Sequence, residues 1–217
     1  MIVSDIVTRV RRIFGDEAAV QVTDDDIIRW INDAQVEIIK YNEAALQKTG
    51  FINITQGQAQ YTLPTDLMIL RSLRYKYGDM LSFSAIKYKN MQEFDDSIDG
   101  WDGTAYSQGK PVFFTMDEGK AILFPIPDGT LTNGLKVLYN QKPTDVVTLM
   151  DTLSLPLIYH NTVMKYCMWQ ASLLDEDHQP ALMYKDDFRG DMQMLSTNET
   201  TDPVATYHSI TTLEYDM

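Results

Sequence analysis

The chain has 217 residues, 44% hydrophobic and 23% charged, enough for one sizeable core or two small ones. Eighteen basic against thirty-one acidic side chains leave a net charge of −13, which disfavours binding nucleic acid by neutralising phosphates and suits solubility. No apolar run approaches the ~20 residues that span a bilayer, and Met1-Ile2-Val3-Ser4-Asp5 lacks a signal-peptide pattern, so the chain reads as cytosolic with no membrane partner.

The first predicted element is a short amphipathic helix. Ser4 is its expected N-cap, and Ile6, Val10, Ile13 and Phe14 recur at helical spacing. Arg9, Arg11 and Arg12 cluster where the helix dipole favours cations, and Gly15-Asp16 breaks the run. A second, central helix is expected from Thr23, whose hydroxyl can accept from a first-turn N–H. Asp24, Asp25 and Asp26 face the positive end of the dipole, and Ile27, Ile31, Ala34, Ile38 and Tyr41 form the apolar stripe. The spacing carries this helix through Ala44-Ala45-Leu46 to a stop before Gly50.

From Phe51 the period changes from 3.6 to 2. Residues 51–55 and 60–63 read as a hairpin or paired short strands that Pro64 ends, and residues 67–77 and 80–83 as a second hairpin around Gly78-Asp79. Further strands are expected at 112–115, 121–124 and 135–139, giving a small antiparallel sheet, with a short helix at Lys89 to Phe94 and a polar loop over 95–109. Pro143 and Pro156 bracket a crossing back to helix. Residues 157–174 are apolar on most faces and should be largely buried, with Cys167, the single cysteine, as a small hydrophobe rather than a reactive thiol. A last helix starts near Pro180 and runs through Leu182, Tyr184, Phe188, Met192 and Leu195. Residues 199–217 contain no lysine or arginine but spaced apolar side chains, and read as an extended arm that orders on a partner.

No motif carries chemistry. Asp95, Ser97, Asp99 and Gly100 occupy places of an EF-hand loop start, but Tyr106 stands where the bidentate glutamate belongs, so a solvated acidic loop is the preferred reading. Gly103 to Lys110 has the wrong spacing for a phosphate loop. His160, His178 and His208 are far apart, no Cys-x-x-Cys exists, and neither a Gly-x-Ser-x-Gly elbow nor a Gly-x-Gly-x-x-Gly fingerprint occurs. No catalytic, cofactor-binding or metal-ligating residue is assigned.

Several stretches resemble a known family. Ser4-Asp5-Ile6 with Arg9-Val10-Arg11, then Asp24-Asp25, Ile28 and the run from Trp30 through Asn32-Asp33-Ala34-Gln35 to Ile38, resemble the opening of tailed-bacteriophage head-to-tail adaptor proteins, also called connector or head-completion proteins. Tyr61-Thr62-Leu63-Pro64-Thr65-Asp66-Leu67 and Phe124-Pro125-Ile126-Pro127 resemble strand-edge motifs of the same group. The resemblance implies a structural, non-enzymatic protein of the virion neck, made in the host cytoplasm. It implies a ring of twelve copies below the portal that joins capsid to tail, continues the DNA channel and serves DNA ejection. Its partners would be the portal protein, a tail or nozzle protein and further copies of itself, with genomic DNA passing without specific binding.

The expected fold is α+β. Residues 1–50 and 157–198 form a helical bundle, residues 51–156 an inserted small antiparallel β domain, and residues 199–217 the C-terminal arm. Tyr207, Ile210, Leu213 and Tyr215 are the candidate anchors to the portal or a neighbouring copy. Trp101 and Tyr106 are candidates for a contact with a neighbouring subunit or the tail, because aromatic residues concentrate at interface cores. Two readings from other classes compete: a monomeric phage-encoded binding or scaffold module, and a virion-associated hydrolase.

Overall fold

The computed structural model describes residues 2–42, 45–77, 82–97 and 108–200. It divides into two compact units, one of residues 1–46 with 143–217 and the other Gln47–Lys142.

The first unit is helical. α1 (Val3–Phe14) starts one residue before the expected cap, and no side chain caps it. The N–H groups of Val3 and Ser4 instead donate to the carbonyls of Asp151 and Leu149, each at 2.9 Å, so a distant loop satisfies the first turn. Gly15 closes the helix at φ 87°, a left-handed position that glycine adopts without strain. α2 (Asp24–Tyr41) carries the predicted cap as a reciprocal box: Thr23 Oγ1 accepts from Asp26 N–H, and the Asp26 carboxylate accepts from Thr23 N–H.

α2 ends earlier than the apolar pattern suggests. Asn42 is extended, the N–H of Ala45 donates to the Asn42 carbonyl, and Leu46 takes a positive φ before the next strand begins. Ala45 and Leu46 form a turn in spite of their helix propensity, and the ladder of β1 with its partner strand begins at Gln47. α4 (His160–Leu174), preceded by a 3-10 turn at Leu157–Tyr159, packs on α1 and α2. α5 (His178–Thr200) packs on α4 and α2. It reaches two residues into the stretch read as arm. α1, α2 and α4 bury Ile6, Val10, Ile27, Ile31, Ile38, Val163 and Cys167 together. α4 is open at its end, where Leu173 and Leu174 are exposed, so it is less enclosed than its composition suggests.

The motif Asn32-Asp33-Ala34-Gln35 has a structural role here. The Asn32 amide pairs with the backbone of Val146, accepting from its N–H at 2.8 Å and donating to its carbonyl at 2.9 Å. The fully buried Gln35 accepts from the Ser154 hydroxyl at 3.0 Å. Two amide side chains thus tie residues 144–154 to α2, and that segment belongs with the helices although the sequence reading puts it with the strands.

The second unit holds two four-stranded sheets. β1 (Gln47–Ile54), β10 (Leu131–Gln141), β3 (Leu67–Lys76) and β4 (Phe83–Ala85) form one in that spatial order. β2 (Gln60–Thr62), β8 (Lys120–Phe124), β7 (Phe113–Asp117) and β5 (Lys87–Tyr88) form the other, and β6 (Gln108–Gly109) pairs with β9 (Ile126–Pro127). The pairings are antiparallel except β5 with β7 and β6 with β9.

β1 and β2 do not form the predicted hairpin. They join different sheets, β1 on β10 and β2 on β8. Tyr61 turns inward between them, its hydroxyl accepting from Thr55 N–H and donating to the Gln58 carbonyl at 2.9 Å. β3 and β4 pair antiparallel as the second hairpin requires, but β4 shares only Phe83 with the expected strand at 80–83, and the expected turn at Gly78-Asp79 lies outside the described residues. β7 and β8 are joined by a two-residue turn with positive φ at Glu118 and Gly119. α3 (Met91–Ser97) lies two residues later than expected, because Asn90 Oδ1 accepts from Glu93 N–H at 2.8 Å and fixes the first turn. The sheets share one core of Ile54, Tyr61, Leu73, Tyr75, Phe114, Leu123, Leu135, Val137 and Tyr139. Burial pushes the Tyr75 phenol up to about 12.

Candidate partner-binding surface

Trp101 and Tyr106, the arm residues Tyr207, Ile210, Leu213 and Tyr215, and the Asp99 and Gly100 positions of the acidic loop all lie outside the described residues. Among the described residues there is no cluster of His, Cys, Asp and Glu that would hold a metal ion. Burial pushes the Cys167 thiol well above its ordinary value, which keeps it protonated and weakly nucleophilic.

The basic cluster of α1 serves the fold in part. Arg11 is buried, with Nη2 2.6 Å from Asp24 Oδ1 and Nη1 3.4 Å from Asp16 Oδ2. Asp16 in turn accepts from the backbone N–H groups of Val20, Gln21 and Val22 at 2.7 to 3.0 Å. These donors, that of Val22 first, hold its carboxyl below the usual aspartate range.

The helical unit keeps a depression with an aromatic lining, in which Tyr41 is exposed, Tyr166 and Trp169 are half-buried and Phe188 is buried. A cavity of about 440 Å³ is lined by Glu37 and Tyr41 of α2, Tyr166 and Trp169 of α4, and Phe188 and Arg189 of α5. The rings of Tyr166, Trp169 and Phe188 form one cluster, with Tyr166 edge-on to both others at centroid distances of 5.3 Å. Burial pushes the Tyr166 phenol up, with Asp33 and Glu37 adding to the effect. Lys165 anchors the α4–α5 packing through Asp191 at 2.8 Å, and Lys185 places its ammonium 5.2 Å from the Trp169 ring centre. Beyond Trp169 a second depression of about 340 Å³ is lined by Leu173, His178, Ala181, Leu182 and Lys185.

The sequence reading expects residues 157–174 to be largely buried, and the i,i+3 pair Tyr166 and Trp169 is instead half-buried, whereas Phe188 and Met192 of the last helix are buried. The signal available was Glu37 one turn before Tyr41, a charge beside an apolar position that marks the edge of a core rather than its middle. The arrangement offers stacking faces, an exposed guanidinium and no nucleophile held by a base, so it is suited to holding a peptide segment.

Comparison with known families decides the class. A family model described as SU10 adaptor protein matches residues 1–208. The chain belongs to this family. The resemblance to phage head-to-tail adaptors, carried by the first two helices and the strand edges, is borne out by that match. No curated protein matches the chain. Its role is that of a phage adaptor, and the α+β architecture agrees with the expected fold class. No helix among the described residues of this adaptor is long and apolar enough to cross a membrane.

Proposed function

We propose that the chain assembles as a ring of copies, twelve by the resemblance, at the neck of a tailed phage. There it joins the portal to the tail and continues the DNA channel. The observation that carries the proposal is the adaptor-family match over 1–208. The distribution of apolar surface supports it. Leu157, Ile158, Leu173, Leu174, Leu182, Met183 and Met194 are all exposed, and all lie in the turn before α4 or on α4 and α5. Such concentration on one unit suits subunit and partner contacts, whereas single exposed apolar residues need no explanation.

The net charge of −13 fits a conduit for a polyanion, because carboxylates around a channel repel the passing duplex instead of retaining it. Trp101 and Tyr106 would meet the neighbouring subunit or the tail protein. Tyr207, Ile210, Leu213 and Tyr215 would anchor the arm on the portal or the next copy, each weakly, with avidity from the ring.

Negative-stain imaging of the purified protein, alone and with portal rings of the same phage, tests this. Rings seated on the portal are expected. Monomers that leave portal rings undecorated at high concentration would contradict the proposal. A chain ending at Asn198 should remain folded and lose co-sedimentation with the portal.

A further inference from the structure

We propose that in the unassembled protein the segment beyond Thr200 folds back along α5 and fills the aromatic groove of its own chain, so that each copy covers its docking surface with its own arm. This inference stands apart from the adaptor reading, since it concerns the isolated chain and needs no portal.

Three observations point to this occupant. The first is the groove itself. Tyr41 is 65% exposed on one side of it and Leu182 58% exposed on the other, Phe188 and Met192 are buried at its base, and the half-buried Trp169 lines both depressions, so described residues leave two adjoining depressions open around one indole.

The second is reach and order. α5 lines the first depression with Phe188 and Arg189, eleven to twelve residues before Thr200, about 17 Å back along the helix. Tyr207 is seven residues past Thr200, a reach of up to about 25 Å for an extended chain, and Pro203 lacks the N–H that continuing the helix would use. The second depression, at Leu182, is about 27 Å back, within reach of Leu213 at up to about 45 Å. Reading away from the helix end, the anchors come in the same order as the depressions.

The third observation is charge. The segment holds Asp202, Glu214 and Asp216 and no lysine or arginine. The groove offers Arg189 at the first depression and Lys185 at both the Trp169 face and the second depression. Glu37, the acid among the lining residues, is already engaged by Lys40 at 2.6 Å. A short tether gives the attached arm an effective concentration that a second copy in dilute solution does not match, which selects the intramolecular contact. During assembly a partner would have to draw the arm out, making exposure of both arm and groove conditional on that partner.

Trp169 reports the contact directly. With Trp30→Phe and Trp101→Phe as background it is the only indole, and its quenching by acrylamide measures the cover over the groove. The chain ending at Thr200 is expected to be quenched several-fold more steeply than the full chain, and Y207A/I210A to behave like the truncated chain. A synthetic peptide of residues 201–217 should restore shielding to the truncated chain and leave the full chain unchanged. Shielding in the full chain should hold over about a hundredfold dilution, as an intramolecular contact requires. Equal quenching of full and truncated chains would overturn the proposal, and so would shielding that fades on dilution, which would place the arm on a second copy.

Discussion

In the β unit, the inward residues of two sheets meet in one core, and Phe51, Tyr88 and Val112 are the large apolar side chains left exposed among the described residues. In the helical unit, α1, α2 and α4 close a core around Ile6, Ile31 and Cys167, yet the surface of α4 and α5 keeps two adjoining depressions and a series of exposed leucines and methionines. The difference comes from geometry. Two facing sheets cover one face each, while a fourth helix, α5, laid on a three-helix core covers it on one side only and brings its own apolar residues to the outside. The unit that leaves apolar surface open is the one the proposal assigns to partner contacts.

The largest expected effect breaks the helical unit. Ile31→Asp places a carboxylate at a fully buried position, at a cost above about 4 kcal/mol. Helical circular dichroism should fall well below wild type, and unchanged thermal stability would show that α2 is not central to that core.

The counterpart in the β unit is Gly134→Ala. A Cβ there would sit 2.7 Å from Leu131 Cβ and 2.8 Å from Ile54 Cγ1, so the substitution should cost about 1–3 kcal/mol and lower the denaturant midpoint.

Acid should separate the units next. Asp16, Asp26 and Asp151 in the helical unit and Asp66 in the β unit all have carboxyls held below the ordinary value of 3.8. Backbone N–H groups of Val22 and Val147 are the leading causes for Asp16 and Asp151, the Thr23 hydroxyl for Asp26, and Lys48 for Asp66. A carboxyl whose folded value lies below its unfolded one adds stability above the unfolded value and loses it as pH falls through the folded one. Stability should therefore drop below pH ~4, with the helical unit more sensitive, and Asp16→Asn should flatten that drop. An unchanged slope in Asp16→Asn would remove Asp16 from the account.

The smallest effect is Thr23→Ala. It removes one half of the capping box of α2, at about 1 kcal/mol, which a thermal melt would show as a shift of a few degrees.

Much of this contrast was legible in the sequence. The Thr23 cap, the stripe through Ile27, Ile31 and Ile38, the change of period after the central helix and the antiparallel pairing of β3 with β4 all follow local rules. The pairing of β1 with β10 was not legible, because strand partners about ninety residues apart leave no local mark. The start of α1 was missed for a similar reason, since backbone carbonyls of residues 149 and 151 do the capping that Ser4 was expected to do. Asn32 and Gln35 were recognised as a motif, but only their hydrogen bonds to residues 146 and 154 show that it clamps a loop. The open depression was hidden because an aromatic pair at helical spacing looks the same whether α5 covers it or stops short.

The central claim is that this chain is an adaptor whose helical unit meets its partners. Cryo-electron microscopy of the virion tests it most directly. Copies of the chain are predicted in the neck between portal and tail, with α4 and α5 at the contacts between neighbours. Virions whose neck density excludes the chain would contradict the account, as would copies placed there with α4 and α5 facing solvent.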